Sequence, residues 1–179
     1  LLLGLPLIAA LALATPERAR SPWFLPRYAM IGAYAGTGVF APTARIGWEL
    51  GVVEQRTEFV LLLELGPAFA VAVPKSMRTF FEHSALVGVG LRNQRGKQFH
   101  WGISLLTGPM YEGATFVDGT LNEERWNGAI EGRLQGGIDL GPVSLAGYFG
   151  YQGPYLSNFH FASTQYIGGF SFGVLLNWR

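Results

Sequence analysis

Three histidines, His83, His100 and His160, are the side chains best suited to moving protons near neutral pH. Two of them have a serine nearby: Ser84 follows His83 directly, and Ser163 follows His160 by three residues. A histidine activates a serine only through a hydrogen bond, with an acid to orient the ring. Adjacent residues on a strand point to opposite faces, which argues against His83 with Ser84. His160 and Ser163 remain as catalytic candidates, on a spacing (H-x-x-S) that recurs by chance. Gly36-x-Gly38-x-x-Ala41 imitates a dinucleotide-binding turn, but Pro42 follows and no helix does, so it is set aside. Asp118-Gly119 reads as a turn. The chain has no cysteine, which excludes disulfides and thiolate metal sites. No EF-hand or zinc-protease pattern is present, so neither a metal nor a cofactor is expected.

The charged side chains form a second group with consequences. Only 14% of residues are charged, against about a quarter in soluble domains. Ten of them recur at alternate positions: Arg45, Glu49, Glu58, Glu64, Glu82, Arg92, Glu131, Arg133, Asp139 and Arg179. Lysine is confined to Lys75 and Lys97, both in connections. The net charge of +1 and the lack of a basic run give no reason to expect nucleic acid.

These charges sit in segments with period two. In 44–55, Ile46, Trp48, Leu50 and Val52 oppose Arg45, Gly47, Glu49 and Gly51. In 58–66, Phe59, Leu61, Leu63 and Leu65 oppose Glu58 and Glu64, with Val60 and Leu62 beside them. Ala85, Val87, Val89 and Leu91 oppose Ser84, Gly88, Gly90 and Arg92; Phe99, Trp101, Ile103 and Leu105 oppose His100, Gly102 and Ser104. Trp126, Ile130, Leu134 and Ile138 oppose Glu131, Arg133, Gln135 and Asp139, and Leu145, Phe149 and Tyr151 oppose Tyr148 and Gln152. In 165–179, Phe170, Phe172, Val174, Leu176 and Trp178 share one face, with Leu175 an exception on the other. Alternation over this length predicts strands. With a first strand over 27–39, whose faces do not separate, the count is eight. Short turns are expected at 54–57, 93–97 and 139–142, and longer loops at 36–43, 67–79, 109–125 and 153–164.

Two designs fit one apolar and one polar face. A soluble lipocalin-like carrier turns the apolar face inward around a greasy ligand. A membrane barrel turns it toward lipid and keeps the polar face in the lumen. Glycine and serine between a few long charges suit a narrow lumen better than a solvated surface. Trp101, Trp126, Tyr151 and Trp178 near strand ends suit the two headgroup levels. The chain ends on its most regular strand, and closure leaves no backbone edge unpaired in lipid. Trp48, Leu61, Val87, Trp101, Ile130, Leu145, Phe172, Val174 and Trp178 are therefore expected to face lipid, with the charges paired inside as a plug.

The last segment, FSFGVLLNWR, resembles the C-terminal strand of bacterial outer-membrane barrels, and the whole architecture resembles the small eight-stranded OmpA/OmpX class. That class usually ends on the aromatic residue, whereas Arg179 follows Trp178 here. The resemblance implies a monomer in the outer membrane, in contact with lipid and lipopolysaccharide. It also implies recognition of the final strand by the barrel-assembly machinery. Some barrels of this size modify lipid A, which gives His160 and Ser163 an alternative enzymatic reading without a supporting motif. Residues 1–14 (LLLGLPLIAALALA) read as the apolar part of a signal peptide ending in a small-x-small site. Residues 15–26 read as a linker and 27–179 as the barrel.

Overall fold

The computed structural model describes residues 25–36, 38–54, 57–73, 75–93, 98–117, 122–154 and 169–178. Eight strands form one closed antiparallel barrel in which each strand pairs with its neighbours in sequence and the last returns to the first. They are β1 (Tyr28–Gly36), β2 (Val39–Glu54), β3 (Thr57–Phe69), β4 (Met77–Asn93), β5 (Phe99–Phe116), β6 (Asn122–Asp139), β7 (Val143–Pro154) and β8 (Gly169–Trp178). The expected signal peptide, most of the linker, His160, Ser163 and Arg179 lie outside the described residues.

The register fixes the shape of the barrel. Paired residues run from Arg92 through Gly102, Gln135, Tyr148, Gly173, Gly32, Thr43 and Ala68 back to β4 at Glu82. One circuit thus shifts the register from residue 92 to residue 82. A stagger of this kind requires the strands to tilt against the barrel axis, by about 35–45°.

Three loops expected from prolines are shorter than the sequence suggests. Pro42, Pro67 and Pro109 lie inside β2, β3 and β5, where Pro42 pairs with Ala33, Pro67 with His83 and Pro109 with Gly128. A strand residue directs its N–H to only one of its two neighbours, so a proline forfeits one bond and keeps the ladder on its other side. The cost is local. Partners between β2 and β3 skip from Thr43–Ala68 to Ile46–Leu65 beside Pro67, where the Thr43 hydroxyl donates to the Pro67 carbonyl instead (3.2 Å). Partners between β4 and β5 skip from Ser84–Met110 to Val87–Thr107 beside Pro109. The β1–β2 connection shrinks to two residues and uses Gly38 at φ 81°, a backbone angle that two-residue hairpins demand. Asp139 closes the β6–β7 turn, accepting from the N–H of Gly141 (3.2 Å), which itself has φ 95°.

The faces of β1 are resolved by what its side chains meet. Tyr28, Met30 and Tyr34 are buried inside, while Ile31 is exposed outside. The Tyr28 ring crosses Gly47, its partner on β2, and the Tyr148 ring crosses Gly32. Two bulky rings therefore occupy the narrow lumen because the opposing residues have no side chain.

Candidate functional site

The lumen is filled in layers along the barrel axis. The central layer contains Arg45, Glu64, Glu131 and Arg133, all buried. Arg133 donates both terminal nitrogens to Glu64 (2.6 and 2.9 Å) and its Nε and Nη2 to Glu131 Oε1 (3.2 and 3.1 Å). Arg45 donates to Glu131 Oε2 (2.5 Å), to Glu64 Oε2 (3.4 Å) and to the side-chain carbonyl of Gln152 (2.6 Å). The Tyr28 hydroxyl donates to Glu64 (2.7 Å) and the Ser171 hydroxyl to Glu131 (2.9 Å). Gln152 passes its amide hydrogens to Glu82 Oε1 (2.8 Å) and to the Met110 sulfur (3.4 Å). The network draws on all eight strands. Two guanidinium groups against two doubly hydrogen-bonded carboxylates meet the condition under which buried charge is tolerable. The Arg133 guanidinium also lies 5.2 Å from the centre of the Tyr148 ring.

A second ionic layer lies toward the short turns. Arg92 grips both oxygens of Glu49 (2.8 and 2.6 Å) and lies 3.5 Å from Glu58, and Asn177 donates to Glu49 (3.4 Å). Apolar side chains separate the layers: Val60, Leu62, Leu86, Leu106 and Leu175 pack in the middle of the barrel. Toward the loop end, Tyr34, Val39, Ala41, Met77, Phe80 and Phe116 form an apolar cap. A void beside Tyr28, Arg92, Ser104, Arg133 and Gln135 measures about 10 Å³, at the lower limit for a single water.

The expected inward charges thus fall into two groups. Arg45, Glu64, Glu131 and Arg133 meet in the centre; Glu49, Glu58 and Arg92 meet near the turns. Asp139 is half-buried in its turn, and Leu175, the sequence exception, belongs to the interior packing. The interior also holds residues outside the expected inward set, among them Glu112, on the part of β5 beyond Pro109, and Tyr28, on the strand whose faces do not separate in the sequence. The sequence does carry a signal for Glu112: Met110, Glu112 and Ala114 continue the inward alternation of Gly102, Ser104 and Leu106.

The outer face is the inverse of the lumen. Val87, Trp101, Ile130, Leu145, Phe172 and Val174 are exposed on it, and Trp48, Leu61 and Trp178 are half-buried there. A chain of rings runs across the loop-side rim: Phe69 and Phe81 flank His83 (5.9 and 5.7 Å), Phe81 meets Tyr111 (5.9 Å), and Tyr111 meets Trp126 (5.2 Å). Tyr151, Phe170 and Phe149 continue it on β7 and β8. Phe59, Phe99 and Trp101 mark the turn side, and aliphatic residues fill the band between. Among the described residues, no charged side chain occupies an outward strand position between these rows. An indentation of about 630 Å³ opens on this face where Gly136 pairs with Gly147, beside Phe99, Trp101 and Leu145.

His83 stands on the outer face, whereas Ser84 points inward and donates weakly to the Gly66 carbonyl (3.5 Å). The two do not form a catalytic pair. Among the described residues, no group of three or more His, Cys, Asp or Glu is arranged to hold a metal.

Fold and interior together define a closed eight-stranded antiparallel β-barrel with an ion-paired, largely filled lumen and an apolar exterior. No protein-family model, curated protein or solved structure matches the chain.

Proposed function

We propose that the chain is an integral β-barrel of the bacterial outer membrane, with a plugged lumen, that holds its loops at the cell surface in a structural or binding role. The inversion of polarity carries this reading: four charged side chains are buried in the centre while Val87, Leu134, Phe172 and many others stand exposed outside. In water, each such exposed side chain forgoes about 1.5–3 kcal/mol of burial, and the buried charges add several kcal/mol of desolvation cost per ion. In a bilayer the first penalty disappears. The apolar band with aromatic rows at both edges matches what lipid presents, hydrocarbon between two headgroup layers. A lipocalin-like carrier is disfavoured, since the space for an apolar ligand is filled with ion pairs and packed side chains.

Membrane lipid, including lipopolysaccharide in the outer leaflet, is the partner that this outer face fits. On the resemblance of its last strand, β8 is the segment that barrel-assembly machinery would read. The chain acts as a monomer in this reading, and the plug makes it a scaffold, not a pore.

Expression in a Gram-negative host, followed by fractionation and gel electrophoresis with and without heating, tests the reading. Recovery with outer membranes and a mobility change on heating are expected. Recovery as soluble periplasmic protein without detergent would overturn it.

A further inference from the structure

The loop-side rim of the outer face sets a carboxylate among aromatic rings. Alternation along β6 turns Glu124 and Trp126 outward together, and both are exposed, Trp126 at 68%. Across the sheet they pair with Gly113 and Tyr111 of β5, which pair in turn with Phe81 and His83 of β4. Six residues thus form two adjacent outward rows, Phe81–Gly113–Glu124 and His83–Tyr111–Trp126.

Gly113 shapes the patch. Carbons of the Phe81 ring lie 2.3 and 2.4 Å from where a Cβ would stand on Gly113, so the ring leans along its row toward Glu124. The Tyr111 ring lies 5.9 Å from Phe81 and 5.2 Å from Trp126, tilted by 55° and 46°, which leaves the ring faces unstacked. The Tyr111 hydroxyl donates to Glu124 Oε2 and so fixes the carboxylate beside the rings. A carboxylate has about four acceptor positions, so this bond leaves capacity for a further donor. Among the described residues, no Lys or Arg is paired with Glu124.

Each part of the patch attracts a cation. Aromatic faces are negative and draw in an ammonium within about 6 Å of the ring centre. The carboxylate adds a full charge and accepts the N–H groups. An anion would be repelled by both. Toward the turns the outer face continues with Val87 and Ile130, exposed and apolar. A ligand with a cationic head and a hydrocarbon tail meets both surfaces at once.

We propose that this patch binds the primary ammonium headgroup of a membrane lipid. The ammonium donates to Glu124 over the faces of Tyr111, Trp126 and Phe81, and the acyl chains follow the apolar band. The site rests on the membrane reading, since the rim lies at headgroup level only if the band below it lies in lipid.

Native mass spectrometry of the full chain tests it, in micelles of uncharged detergent doped with phosphatidylethanolamine or phosphatidylglycerol of identical acyl chains. Wild type is expected to retain the ethanolamine lipid about three- to tenfold over the glycerol lipid. Glu124→Gln should lose most of that preference. Trp126→Leu, which keeps apolar bulk without the π-face, should reduce it to about half or less. Phe149→Leu, an aromatic outside the patch, should leave it unchanged. Equal retention of the two lipids by wild type, a reading that needs no variant, would overturn the proposal. An undiminished preference in Glu124→Gln would do the same, as would a loss in Phe149→Leu as large as in Trp126→Leu. A barrel recovered with outer membranes but lacking the preference removes this site alone; recovery as soluble protein removes the membrane reading itself.

Discussion

The two ionic layers of the lumen are made from the same side chains at different depths. In the central layer Arg133 and Glu64 are 1% and 0% exposed; near the turns Arg92 and Glu49 are 12% and 11% exposed. Both layers contain a forked arginine–glutamate pair with similar distances. The central one cannot fall back on water, and it recruits Tyr28, Gln152 and Ser171 as further partners. The layer near the turns manages with Glu58 and Asn177 beside its pair. Depth, not pairing geometry, is what separates a charge set that organises the whole barrel from one that closes an end.

Truncating one member of each layer should expose that difference. Arg133→Ala leaves Glu64 and Glu131 with one arginine between them and is expected to cost about 3–5 kcal/mol, the usual loss on breaking a buried pair. It should appear as a lower temperature for the heat-dependent gel shift; a variant as resistant as the parent would refute the plug. Replacing Glu64 by methionine in an Arg133→Met background removes the stranded charge and should recover most of the loss. Equal damage in the single and double variants would show that packing, not charge, accounts for it.

Glycines offer the next contrast, inside against outside. A methyl group at Gly88 would meet the Leu105 carbonyl at 2.3 Å and the Leu106 Cα at 2.8 Å, both backbone. Gly88→Ala should cost about 1–3 kcal/mol through overpacking. Arg92→Ala, in the more hydrated layer, should cost about 1–2 kcal/mol in the same gel-shift assay, smaller than the Arg133 loss because water can reach Glu49 and Glu58. A loss as large as that of Arg133→Ala would erase the distinction between the layers. Smallest of all is Gly136→Ala on the outer face, where an added methyl meets nothing within 4 Å; stability is expected to stay within about 0.5 kcal/mol.

Much of the barrel was legible because a strand's faces repeat every two residues and the charges respect that period. Arg45, Glu49, Glu64, Glu131 and Arg133 all point where alternation puts them. The strand count and the closed antiparallel architecture followed from the same pattern. Legibility failed where chemistry and position diverge. The faces of β1 do not separate in the sequence, and Tyr28 and Tyr34 lie inside, Tyr28 because Gly47 makes room and Glu64 accepts its hydroxyl. Pro42, Pro67 and Pro109 look like strand ends but cost only local ladder bonds, which puts Glu112 on β5 where a loop over 109–125 is expected. Partner choice was out of reach altogether. Arg45 and Glu131 are 86 residues apart in sequence, and only the register of the closed barrel brings them together. The same holds for Gln152 and Glu82, 70 residues apart.

The central claim is that this barrel is inside-out, and the absence of native cysteine makes it directly testable. Single cysteines at Leu86, Val87, Gly88 and Val89, spin-labelled in lipid vesicles, report contact with oxygen dissolved in the bilayer against contact with a water-soluble relaxant. Val87 and Val89 are exposed on the outer face, and Leu86 is fully buried inside. Labels at 87 and 89 should be relaxed by oxygen and shielded from the aqueous reagent, while those at 86 and 88 are shielded from both or perturb folding. Aqueous access at 87 and 89, or the opposite phase of alternation, would contradict the account.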